Sequence, residues 1–212
     1  MSRLILCFAL SLCGTGGLFA DTIFSTFGPG QSFLTGAIWM VGGQPPEEIA
    51  ASFVPAESFS LETIDFAAVS LSGTLTGVDV SLASGSSAPG PPIESFVVSG
   101  ISGTASVLKV ESIAHPQLDA GVTYWLVVSP LDPASPLIGW NQNDQGSVGV
   151  SARFDDGAWL ALGTEVLMPA FDIVGTPLVP TVPEPSTWSF MILVIGLQVA
   201  VSAYRRRKMA RA

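Results

Sequence analysis

Apolar and polar residues alternate in short runs between residues 21 and 176, and Gly, Pro, Ser and Asp separate the runs. In residues 78–82, Val-Asp-Val-Ser-Leu, every second side chain is apolar, and residues 148–154 repeat this period of two. A period of two places the apolar side chains on one face of a β-strand, whereas no helical period is sustained in this part of the chain. The pattern predicts ten strands, at Thr22–Phe27, Ile38–Val41, Ala50–Val54, Ser60–Ala67, Gly77–Ala83, Ile93–Val98, Ser106–Ile113, Thr123–Val128, Ser147–Phe154 and Ala170–Val174.

The spacing of these strands predicts the fold class. Short strands recur at intervals of about ten residues with turn residues between them, which is typical of an all-β antiparallel sandwich or jelly roll. We therefore expect residues 21–176 to form one extracellular β-sandwich domain. Tyr124 and Trp125 are neighbours on one predicted strand, so their rings must face opposite ways. We expect one ring in the core and the other on the outer face or beneath a loop.

An unbroken apolar stretch replaces the alternation at the start of the sequence. Arg3 is followed by ten apolar or small residues and then by small, helix-breaking residues that end at Ala20 before Asp21. This three-part order is typical of a secretory signal peptide, and it predicts a signal at residues 1–20 with cleavage after Ala20. An uncleaved anchor or a buried core helix is the alternative.

A second apolar stretch lies at residues 188–204 and contains no charged residue. As a helix its seventeen residues would extend about 25 Å, the short end of what spans a bilayer. Four basic residues follow at once: Arg205, Arg206, Arg207 and Lys208. Basic residues stay on the cytoplasmic side. The sequence thus predicts a helix through the inner membrane, N-terminus outside, and a basic stop-transfer tail at residues 205–212.

A proline-rich linker at residues 177–187 precedes this helix. Pro183 and Pro185 flank Glu184 and favour an extended, polyproline-like backbone next to the membrane, a geometry that a membrane-embedded protease could grip. Together, the Pro-Glu-Pro triplet, the apolar helix and the arginine cluster resemble the PEP-CTERM sorting signal of Gram-negative bacteria. The resemblance implies that an exosortase-type membrane protease processes this chain as its substrate. It also implies anchoring followed by transfer to the cell surface or the extracellular polysaccharide matrix.

The body carries a looser set of motifs. They are the run Leu118–Val128, Ser81–Gly85 leading to Ala88-Pro89-Gly90, Gly139-Trp140-Asn141, and the closing Pro169–Gly175. This set resembles the choice-of-anchor R type of β-sandwich domain, which is found joined to surface-anchoring tails. The resemblance implies a surface domain with no known catalytic residues.

The distribution of charge excludes one class of partner. Residues 21–182 contain sixteen acidic residues but only Lys109 and Arg153 as bases, a net charge of −14. Such a field repels phosphates, so we expect no binding of nucleic acid.

Few residues in the body could carry chemistry. The two cysteines, Cys7 and Cys13, lie in the predicted signal, and His115 is the single histidine. A zinc site needs more ligands than these, and a Ser-His-Asp triad needs a marked serine, so we predict no catalytic residue, metal or cofactor. Residues 141–146 and 155–157 offer oxygen ligands, but ordinary Asx turns are favoured over a calcium loop.

Four tryptophans in the body are candidates for the core or for a sugar-stacking surface. The core is favoured for the group, and Trp140 and Trp159 are the candidate ligand platform. The sequence therefore predicts a non-enzymatic, structural or adhesive surface protein. A carbohydrate-binding module with extracellular polysaccharide as partner, a secreted hydrolase and an uncleaved single-pass membrane protein remain as alternatives.

Overall fold

A computed structural model describes residues 20–43, 45–72, 76–132, 137–178 and 194–195. The chain divides into two units, Met1–Leu178 and Val179–Ala212. All the described strands lie in the first unit, and Val194 and Ile195 of the second are helical. The predicted signal peptide up to residue 19, the Pro-Glu-Pro triplet and the basic tail lie outside the described residues.

The described residues of the first unit form an all-β sandwich of two antiparallel sheets, so the predicted β-sandwich is confirmed; the narrower jelly roll stays a prediction. A seven-stranded sheet has the order β1-β13-β4-β10-β2, with β7 and β8 also paired to β4, and a six-stranded sheet has the order β12-β11-β3-β9-β5-β6. The strands are β1 (Asp21–Ser25), β2 (Leu34–Val41), β3 (Glu48–Phe53), β4 (Phe59–Ser70), β5 (Thr76–Ser84), β6 (Pro92–Ile101), β7 (Ser106–Glu111), β8 (Gln117–Leu118), β9 (Tyr124–Pro130), β10 (Ile138–Gln142), β11 (Val148–Asp155), β12 (Ala158–Leu167) and β13 (Phe171–Pro177).

The core lies between the two sheets and is built from the period-two residues that the sequence pattern singles out. Val78, Val80 and Leu82 of β5 are fully buried in it, and the intervening Asp79 and Ser81 are on the opposite face of the strand. The Phe171 ring packs 5.4 Å from Phe24 between ring centres. It also lies 5.9 Å from Trp140 and 6.3 Å from Phe53. Because Phe53 belongs to the other sheet, Phe171 joins the two layers.

Each sheet also carries a smaller apolar cluster on its outer face. On the six-stranded sheet, Trp125 is buried with four small or branched residues, and Val150 and Trp159 pack against them. The indole nitrogen of Trp125 donates a 2.9 Å hydrogen bond to the Gly85 carbonyl, so a loop helps to cover the ring. Tyr124 is instead in the main core. The prediction that these two rings face opposite ways, one of them in the core, is confirmed.

A loop of residues 26–33 between β1 and β2, called the β1–β2 loop below, covers the outer face of the seven-stranded sheet. Phe27 is buried against Ala67 and Ala170, and Phe33 packs beside it. Thr26 fixes the start of the loop, since its hydroxyl donates to the Pro169 carbonyl at 2.7 Å and accepts from the Phe171 amide at 2.8 Å. The loop is therefore a packed outer layer of the sandwich.

Three strands were not predicted from the sequence: β8, β10 and β12. β8 has two residues, and β10 contains Gly139 and Asn141, residue types that are depleted in strands. β12 begins after Asp156-Gly157, where both residues have positive φ, 47° and 83°. An Asp-Gly pair that adopts these angles is a strong hairpin signal, and it could have predicted β12 as the partner of β11.

The position of Phe171 leads to a prediction about stability. We expect Phe171→Ala to lower the free energy of unfolding by about 3–5 kcal/mol, because it leaves a cavity where three other rings now find a partner. Urea unfolding followed by tryptophan fluorescence measures the change. Val97→Ala is the control: Val97 is 70% exposed, and its truncation should cost less than about 0.5 kcal/mol. Equal losses in the two variants would contradict the central role of Phe171.

Candidate functional site

The predicted sorting residues lie outside the described part of the chain, apart from the cleavage position. Pro183, Glu184, Pro185 and the basic residues 205–208 are among the residues not described, so their roles stay predictions. Ala20 is exposed and directly precedes β1. A cut after Ala20 would leave β1, which pairs with β13 from Asp21 onward, intact.

The described parts of the chain contain no helix with the length and apolarity needed to cross a bilayer.

Trp140 is not available as a ligand platform. Its side chain is 0% exposed in the main core, where it contacts Phe171, and its indole nitrogen donates to the Ala170 carbonyl at 3.2 Å. The platform hypothesis is therefore wrong for Trp140, because a sugar cannot stack on a ring that is enclosed between two sheets. The preference for tryptophans in the core is correct for Trp140, and Trp125 is also buried, in the apolar cluster on the outer face.

Trp159 is differently placed, on the outer face of the six-stranded sheet. The β11–β12 hairpin pairs it directly with Phe154, and the two rings meet edge to face with centres 5.3 Å apart. Trp159 is partly exposed and rests on the small apolar cluster around Trp125. The arrangement holds an indole in a fixed orientation at the surface.

A row of side chains crosses the same face on neighbouring strands. Phe154 pairs with Glu48 on β3, and the Ser129 hydroxyl on β9 donates a 2.9 Å hydrogen bond to Glu48 Oε2. Ser129 in turn pairs with Asp79 on β5. The row therefore runs from the aromatic pair to two carboxylates and a hydroxyl, and it offers ring surface and hydrogen-bonding groups side by side. We call these five residues, Trp159, Phe154, Glu48, Ser129 and Asp79, the outer row.

Asp79 closes the row in a partly desolvated position. Its Oδ1 atom is buried with no hydrogen-bond partner among the described residues, and burial raises the pKa of this carboxyl above its usual range. An acceptor of this kind can gain a hydrogen bond from a hydroxyl-bearing ligand.

His115 does not take part in a catalytic arrangement with a serine in the described structure. Its Nδ1 lies 2.9 Å from the Leu61 carbonyl and 3.3 Å from Glu62 Oε2, and since both partners are acceptors Nδ1 is a donor here. Ser60 and Ser112 are near, but they bond to the backbone of His115 and not to its ring. The side chain of His115 is 49% exposed.

Glu94 ties the two sheets together beside His115. From β6 it accepts hydrogen bonds from the Ser112 hydroxyl at 2.7 Å, the Ile113 amide at 2.8 Å and the Ala114 amide at 3.0 Å. Desolvation by burial raises the pKa of Glu94, but these hydrogen bonds and the charge of His115 together lower it below its usual range. No feature of the sequence marked this residue, because its partners lie about twenty positions away on a turn.

The polar loop at residues 141–146 forms the expected Asx turn. Asn143 Oδ1 accepts hydrogen bonds from the amides of Gln145 and Ser147, and its Nδ2 donates to the carbonyls of Ser147 and Met168. Within the described residues, no three His, Cys, Asp or Glu side chains come together to hold a metal ion.

Comparison with protein-family models and with curated proteins found no match for this chain. The resemblances to a PEP-CTERM signal and to a choice-of-anchor R type domain thus stay predictions.

Glu94 gives a prediction with a defined dependence on pH. We expect Glu94→Gln to destabilise the protein at neutral pH by about 1–3 kcal/mol, because it weakens hydrogen bonds to a charged acceptor. Since the pKa of folded Glu94 is below the ordinary value of 4.5, its stabilisation is present above that value and is lost as the pH falls through the folded pKa.

The measurement is urea unfolding of both proteins from neutral pH downward. The difference between them should shrink as the pH passes below 4.5. Glu111→Gln, at an exposed position on the neighbouring β7, is the control and should change little. A constant difference across the whole pH range would refute the role of the Glu94 charge.

Proposed function

We propose that the protein is a non-enzymatic surface or matrix protein that is exported, anchored by its C-terminal tail and then processed by an exosortase-type protease. The observation that carries this proposal is the order of the tail: Pro183-Glu184-Pro185, then the uncharged apolar stretch at residues 188–204, then four consecutive basic residues. The apolar stretch at residues 1–20 supports export, with the tail remaining across the inner membrane, N-terminus outside and basic end in the cytoplasm.

The body supports a structural or adhesive role. It is a two-sheet sandwich whose main core buries aromatic side chains from both sheets, and whose acidic composition favours solubility outside the cell. The arrangement around His115 favours this proposal over the hydrolase alternative, since the ring contacts a carbonyl and a carboxylate and the nearby serines bond elsewhere.

Substitution of the triplet tests the sorting proposal. We expect Pro183→Ala/Glu184→Ala/Pro185→Ala to block processing, because it removes the extended segment that the protease would grip. Mass spectrometry of the mature C-terminus in the native host is the readout: wild type should lose residues 188–212, and the variant should keep them. Pro177→Ala/Pro180→Ala is the control and should mature as wild type does. A triplet variant that matures normally would end the proposal.

A second candidate function is binding of extracellular polysaccharide by the outer row, and the placement of Trp159 favours it. An indole fixed at the surface can stack on a sugar ring, and the neighbouring Glu48, Ser129 and Asp79 can bond to its hydroxyls. Because the body is strongly acidic, a neutral polysaccharide is the favoured ligand and an anionic one is repelled.

Affinity electrophoresis in gels containing a soluble neutral glucan tests this second function. We expect Trp159→Ala to weaken retention about tenfold, which corresponds to about 1.4 kcal/mol of lost ring contact. Met40→Ala removes an exposed apolar side chain from the other sheet and should leave retention unchanged. If none of a panel of neutral glucans retains the wild-type protein, the polysaccharide-binding function is rejected. The sorting proposal does not depend on this result.

A further inference from the structure

Two aspartates lie directly opposite each other on the outer face of the seven-stranded sheet. Asp65 of β4 and Asp172 of β13 are cross-strand partners, and their chain neighbours Ile64, Phe66 and Phe171 point into the core. The two carboxylates therefore project to the opposite side, beneath the β1–β2 loop. Like charges in directly opposed positions destabilise a sheet unless something compensates them.

The β1–β2 loop brings one side chain over both carboxylates. Gln31, which has a left-handed backbone with φ of 60°, donates from Nε2 to Asp65 Oδ2 at 2.8 Å and more weakly to Asp172 Oδ2 at 3.5 Å. The Ser25 side chain also hydrogen-bonds Asp172. Two carboxylates thus converge on the single position that the Gln31 amide nitrogen occupies.

Both aspartates keep one oxygen without a partner. The Oδ1 atoms of Asp65 and Asp172 are buried and make no hydrogen bond within the described structure, and Asp172 as a whole is only 9% exposed. A buried carboxylate oxygen without a partner is costly. The pair is therefore incompletely satisfied by the protein alone.

No ion pair among the described residues involves Asp65 or Asp172. Lys109 lies opposite Asp65 on β7, but it is exposed and takes part in none of the ion pairs between described residues. Arg153 pairs with Glu47 and Asp155 on the other sheet. Burial raises the pKa of Asp172 above its usual range. The hydrogen bonds from Ser25 and Gln31 lower this pKa, whereas the charge of Asp65 raises it further. The ionised pair would be stabilised by an added positive charge.

We propose that Asp65 and Asp172, together with the side-chain amide of Gln31, form a binding site for a hard divalent cation, with Ca²⁺ as the favoured ion. Ca²⁺ binds carboxylate and amide oxygens in flexible geometry and accepts water in its remaining positions, which suits a site of two aspartates and one side-chain amide. A half-turn of the Gln31 amide replaces Nε2 by Oε1 and supplies a third protein ligand. The two charges of the ion match the two carboxylates.

Binding at this position would fasten the β1–β2 loop to the sheet. Gln31 belongs to the same loop as Phe27 and Phe33, which pack on Ala67 and Ala170 beside the aspartates. The cation would therefore stabilise the outer layer of the seven-stranded sheet. This inference goes beyond the proposed function, because it depends neither on the tail nor on a sugar ligand.

Calorimetric titration and thermal unfolding of the full-length protein in detergent micelles, with CaCl₂ against EDTA, test the proposal. We expect Ca²⁺ to bind with about one ion per chain and to raise Tm by roughly 5–10 °C at a hundredfold excess over Kd. Asp65→Asn and Asp172→Asn should each abolish the heat of binding and the shift. Gln31→Glu should tighten binding, because it adds a third carboxylate.

Asp79→Asn is the matched control, since Asp79 is a partly buried aspartate with an unpartnered oxygen on the other sheet. It should keep both the heat of binding and the shift in Tm. Absence of binding to wild type would overturn the proposal, and so would a shift that survives both aspartate variants. If Asp172→Asn raises Tm without Ca²⁺ while wild type does not bind the ion, a proton shared by the pair supplies the compensation instead. If an asparagine variant fails to fold, Gln31→Glu provides the test instead. Tighter Ca²⁺ binding by this variant would support the site, and an unchanged affinity for Ca²⁺ would contradict it.

Discussion

The apolar contact between the two sheets is the interaction on which the rest of the structure depends. Phe171 of the seven-stranded sheet meets Phe53 of the six-stranded sheet, and Phe24 and Trp140 pack around it. The described body contains no cysteine that could crosslink the layers. Burial of these rings and of the branched residues beside them therefore supplies the main force that holds the sheets face to face.

The outer faces of the two sheets carry the strand residues that do not point into the main core. Each sheet places a small apolar cluster outward, one under Trp159 and one under the β1–β2 loop. Both clusters give their polar neighbours a fixed setting: the outer row beside Trp159, and the Asp65–Asp172 pair beside Phe27. Features that could recognise a ligand or an ion thus occur where a strand face is half covered, because partial burial orients the side chains and leaves some of their polar atoms unsatisfied.

The proposed function divides between the two parts of the chain. The tail is proposed to determine where the protein goes, through a short linear signal that a protease recognises in extended form. The body is proposed to determine what the protein does there, and its surface chemistry favours contact with neutral polysaccharide or cations over contact with nucleic acid. Sorting and surface recognition can therefore change independently of each other.

The sequence by itself determined the fold class and most of the strands, and it predicts a secretion signal and a sorting tail at the two ends, because period-two alternation, turn residues and long apolar stretches are local patterns. It also predicted the opposed rings of Tyr124 and Trp125. Only the tertiary structure decided that Trp140 is enclosed while Trp159 lies at the surface, since the burial of each ring depends on the strands and the sheet that pack against it. The tertiary structure alone brings Asp65, Asp172 and Gln31 together, and it alone joins Glu94 to residues 112–114. These contacts connect strands and loops that are far apart along the chain. Strand order and register determine which of these residues meet, and local sequence patterns do not encode strand order and register.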